Sequence, residues 1–101
     1  MSGCDRIKAI VDKVREFIAD EWLKNRGGRA EDIFNRDARF ITFAVEKAAE
    51  CSDEALRNLL EEMRGLSHYF GSYCSDQRKL DALLDAMFEE TKTALMAKRR
   101  A

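Results

Sequence analysis

Apolar side chains recur at three- and four-residue steps along most of this chain, and no proline interrupts them. That spacing gives an α-helix one dry face, whereas a half-buried strand would need strict alternation. The chain is therefore read as all-α. A first helix over residues 5–24 puts Ile7, Ile10, Val11, Val14, Phe17 and Ile18 on one face, with Trp22 at its edge. Gly27 and Gly28 stop it, and Ser2 and Asp5 have the spacing of a cap at its start. A second helix, 35–51, begins at Asn35 as N-cap and turns Phe34, Ala38, Ile41, Ala44, Val45 and Ala48 inward. Asp37 falls in the same stripe, near the predicted helix start, where the dipole and free amides tolerate a carboxylate.

A third helix, capped by Ser52 or Asp53, runs over 53–70 with an extension to 74, on a stripe of Leu56, Leu59, Leu60, Met63, Leu66 and Phe70. The fourth, 76–98, is capped by Ser75 or Asp76 and carries Leu80, Leu83, Leu84, Met87, Phe88, Thr91 and Leu95. A chain of 101 residues fits one domain. The short connection between the last two helices makes them an antiparallel hairpin, and an up-down four-helix bundle is the simplest closure.

Eighteen basic and nineteen acidic residues leave no field of one sign, which argues against a dedicated nucleic-acid binder. Lys24, Arg26 and Arg29, and again Lys98, Arg99 and Arg100, read as cations placed where a helix C-terminus favours them. No apolar run approaches the roughly 20 residues of a membrane span. Cys4, Cys51 and Cys74 are odd in number and widely spaced, which speaks against a disulfide framework and for a reducing cytoplasm. With a single histidine there is no ligand set for zinc, and the di-metal pattern Glu-x-x-His fails because Gly65 stands three residues before His68.

The remaining enzyme patterns fail as well. On a continuous helix Cys74 and His68 point about 120° apart, adjacent carboxylates such as Glu61 and Glu62 diverge, and Gly27-Gly28 lacks the strand and Lys-Ser/Thr of a phosphate loop. No catalytic residue, metal or cofactor is expected.

Three surfaces stand out against the bundle pattern. Phe43 falls on the charged face of its helix, where an aromatic ring suits a partner or a second copy. Asp81, Asp85 and Glu89 lie four apart, bracketed by Arg78 and Lys92, as an acidic strip for a basic partner. Residues 65–76 hold the sole histidine and both tyrosines. If helical, they aim His68 and Tyr69 outward as a recognition patch. Two interior glycines would cost about 1 kcal/mol each, which favours a break at Gly65 or Gly71 with Tyr69, Phe70 and Tyr73 folded over the bundle end as a plug. The expected function is a non-enzymatic helical interaction protein of bacterial or phage type, an immunity protein, inhibitor or adaptor, with a protein partner. The alternatives are a homodimer closed around Phe43 and a nucleic-acid-associated protein using the basic clusters.

Overall fold

The computed structural model describes residues 3–100; the cap expected at Ser2 lies outside them. Four helices follow in order: α1 (Gly3–Lys24), α2 (Arg29–Glu50), α3 (Asp53–Arg64) and α4 (Gln77–Arg100). Each packs on the next and α4 returns to α1, so the four close a ring in up-down order about one interior. Ile7, Val11, Val14 and Ile18 from α1 meet Ile41 and Ala44 from α2, Leu56 and Leu59 from α3, and Leu80 and Met87 from α4. Thr91 is fully buried among them, and its hydroxyl donates to the carbonyl of Met87 at 2.7 Å. Among the described residues no helix is long and apolar enough to cross a membrane.

The predicted caps hold for two helices. Ser52 Oγ accepts from the Ala55 amide at 3.0 Å and Asp76 Oδ1 from the Lys79 amide at 3.1 Å. α2 differs from expectation, starting at Arg29 rather than Asn35. The turn is completed by Gly27 and Gly28, both at positive φ, and the preceding stretch is pulled into the helix because Ala30, Ile33 and Phe34 pack against the core. Val45, expected inside, is 37 % exposed.

α3 ends at Arg64 and does not reach 70 or 74. The Gly65 amide closes it on the carbonyls of Glu61 and Glu62, and three tight turns follow, with Phe70 donating to Ser67, Ser72 to Tyr69 and Cys74 to Gly71. Leu66 and Phe70 still pack inward from these turns, which is why the leucine spacing runs on past the helix. Residues 65–76 thus occupy the corner of the ring that a longer α3 would have filled.

A second correction concerns the cysteines. Cys4 and Cys51 form a disulfide, with Cα atoms 6.0 Å apart, joining the start of α1 to the left-handed residue that caps α2. Two antiparallel neighbours bring these ends together, and an odd cysteine count conceals a pair when the third, Cys74, stays free and buried.

Candidate functional site

The 65–76 segment is held by buried carboxylates rather than by a helical ladder. Asp37, 5 % exposed in the third turn of α2, accepts at Oδ2 from the Gly71 amide at 2.7 Å and from the Tyr73 hydroxyl at 3.1 Å. Its position is therefore not explained by the helix dipole, since the helix begins two turns earlier. Glu21 of α1, also buried, accepts from the Ser75 amide at 3.1 Å and from the Asn25 side chain at 3.2 Å. The Gln77 side chain donates to the Gly71 carbonyl. Gly71 itself sits at φ +66°, and a Cβ there would lie 2.1 Å from Leu80 Cδ2, a fully buried side chain with little room to move.

Aromatic packing completes the anchorage. Trp22 stacks on Phe34 with centroids 4.7 Å apart, Phe34 meets the edge of Tyr73, and Phe70 meets Phe40 edge-on. Phe70 and Tyr73 are thus buried as a plug would be, while Tyr69 is 54 % exposed and not part of it.

Burial controls the chemistry of these groups. Desolvation raises the Asp37 carboxyl to about 6 even though the Gly71 amide, the Tyr73 hydroxyl and Arg36 all oppose the rise. Burial, together with the Asp37 charge, drives the Tyr73 phenol far above its ordinary value. Burial and the carboxylates of Glu21 and Asp37 push the Cys74 thiol up to about 12. A nucleophilic cysteine needs the reverse shift.

The structure brings three of the six expected site residues together. His68, Asp81 and Asp85 line one groove of about 250 Å³ between the segment and α4, over a floor that includes Leu66, Leu84 and Phe88. Glu89, one turn further, pairs with Lys92 at 3.0 Å and is not part of the groove. Among the described residues Asp81 and Asp85 form no ion pair, so the bracketing expected from Arg78 is not made. Tyr69 touches His68, with ring centroids 4.2 Å apart, but lines a different cavity, against α2. Phe43 lies apart from both. It is half-buried against the core under the Lys47 ammonium, at 5.4 Å from the ring centroid, so it is not the wet ring expected from its helix face. It lines a cavity together with Arg39, Glu62, Gly65, Leu66 and Phe70.

Sequence reasoning missed Glu21 and the Cys4–Cys51 pair, although both were visible in the register. Cys4, Ile7, Val11, Val14, Ile18 and Glu21 follow one another at alternating three- and four-residue steps, so both outliers sit on the apolar line. Ala44, Ala48 and Cys51 continue the facing line of α2. Among the described residues no group of histidine, cysteine and carboxylate side chains is placed to hold a metal. Comparison with protein-family models, curated proteins and solved structures finds no match to the chain.

Proposed function

We propose that the protein is a non-enzymatic helical interaction module, of the immunity, inhibitor or adaptor type, that acts by covering a basic surface on a protein partner. The groove beside His68 supports this reading most directly. Its floor is apolar and its rim carries two carboxylates with no internal partner, a combination that suits a segment with both an apolar anchor and a Lys or Arg. The anchorage of residues 65–76 through Asp37 and Glu21 holds the His68 wall opposite α4, whose helix carries both carboxylates, so the groove is formed before the partner arrives and the ordering cost of binding is lowered.

The test is capture of partners from the native host, comparing the parent with the double variant Asp81→Lys, Asp85→Lys. Both positions are exposed, so melting should be unchanged while one captured protein disappears. An identical set of captured proteins with unchanged folding rejects the groove as the binding surface.

Homodimerisation is the second reading, and one observation favours it. A groove of about 350 Å³ between α1 and α2 is lined by Ala19, Ala38, Ile41 and Val45 and flanked by Arg15 and Glu46. An apolar face of this kind, with a basic and an acidic residue at its edges, suits burial against a second copy of itself. Sedimentation at micromolar concentration that gives only monomer removes it.

A cytoplasmic site of action is part of the proposal. The Cys4–Cys51 bond stands against it, since a reducing compartment keeps such pairs as thiols; a bonded pair in alkylated host extracts rejects the cytoplasm and places the protein in an oxidising compartment.

A further inference from the structure

A second cavity, of about 740 Å³, lies on the other side of the 65–76 segment, between its tyrosines and the first turns of α2. Its chemistry is opposite to that of the His68 groove. Arg29 and Arg36 stand seven residues apart on α2, two turns along one face, and both line the cavity. Neither forms an ion pair among the described residues, although Asp32 stands between them. Arg36 acts through its charge on the buried Asp37, yet neither guanidinium is tied in such a pair, so both keep multidentate donors of the kind that match phosphate oxygens.

The volume exceeds what a bare anion needs and falls in the range of small organic ligands. The exposed ring of Tyr69 stands at one wall, braced by His68 with centroids 4.2 Å apart, and it offers a face for stacking. Ser72 adds a hydroxyl, and Asp32 is an acceptor placed for a ligand hydroxyl or amine.

From this geometry we infer that the cavity between α2 and Tyr69 binds a small phosphate monoester carrying a flat ring, of the size of a nucleoside monophosphate. Arg29 and Arg36 hold the phosphate, Tyr69 stacks on the ring and Asp32 accepts a hydroxyl from the part between. The two sites share no lining residue and meet only where His68 of the groove touches Tyr69 of this cavity.

Calorimetric titration with adenosine monophosphate, adenosine and inorganic phosphate tests it on the intact chain. The monophosphate should bind saturably and more tightly than either fragment. Arg29→Gln and Arg36→Gln should each weaken it by about tenfold, as expected for loss of a charged hydrogen-bonding group. Tyr69→Ala should weaken the monophosphate while leaving inorganic phosphate unaffected. All three side chains are exposed, so an unchanged melt confirms that folding is not the cause. No saturable binding of the monophosphate up to millimolar concentration overturns the inference, as does parental affinity in Arg36→Gln or inorganic phosphate binding equally well. Asp81→Lys, Asp85→Lys should bind the monophosphate like the parent, which keeps this result apart from that for the partner groove.

Discussion

Asp37 receives the Gly71 amide and the Tyr73 hydroxyl on the same oxygen, so a single buried atom holds one residue of the segment by its backbone and another by its side chain. Removing it with Asp37→Ala leaves two buried donors unpaired, at a cost of about 1–3 kcal/mol each, whereas Asp37→Asn keeps an acceptor. Urea unfolding at neutral pH should therefore find the alanine variant strongly destabilised and the asparagine variant close to the parent. The carboxyl also gives stability a pH dependence of definite sign. Its folded value, about 6, lies above the ordinary 3.8, so the folded state binds the proton more tightly than the unfolded chain does. This contribution is full below about pH 4 and lost as pH rises through about 6, at most on the order of 3 kcal/mol. The difference in unfolding free energy between parent and Asp37→Asn, measured across that window, should change in the parent's disfavour as pH rises; a constant difference contradicts it. At Gly71 both φ and space exclude a side chain, and Gly71→Ala should cost about 1–3 kcal/mol by the same unfolding measurement.

Among the elements, the helices whose apolar positions stay in one register were readable from the sequence, and α1 and α4 fell close to their predicted spans. α3 was read too long for a physical reason: Leu66 and Phe70 remain directed at the core from non-helical backbone, so inward burial continues where the helix has ended. Periodicity reports which residues face inside, not what backbone carries them. The start of α2 was missed because Asn35 has the chemistry of a cap, while the actual boundary is made by Gly28 with no side-chain cap at all. The candidate groove was legible only in its parts, since His68 and Asp81 come together through the break that the helical reading smoothed over. The link between α1 and α2 carries its own prediction. A disulfide closing a loop of 47 residues restricts the unfolded chain by about 4 kcal/mol in the chain-entropy picture. Reduction, or Cys51→Ser, should lower the unfolding free energy from denaturant titration by a comparable amount without changing helix content by circular dichroism.

At the scale of the whole molecule, the bundle is a rod of 48 × 19 × 18 Å with its charge near balance. The proposed recognition would therefore rest on local fields, and the 65–76 segment separates two of opposite sign, Asp81 and Asp85 on the α4 side and Arg29 and Arg36 on the α2 side. If the proposed basic partner docks in the acidic groove, its association should slow as salt is raised, because exposed charges are screened over about 8 Å at physiological ionic strength. Stopped-flow rates that are flat from low to high salt would contradict steering by these carboxylates. The rod is also unequal along its length: one end is fastened by a covalent bond, the other by a dozen residues hung from two acids. Under heat, denaturant or mechanical pull, the molecule should come apart from the tyrosine end like a book bound only along its far edge, so amides near Gly71 exchange with solvent long before those around Ile7.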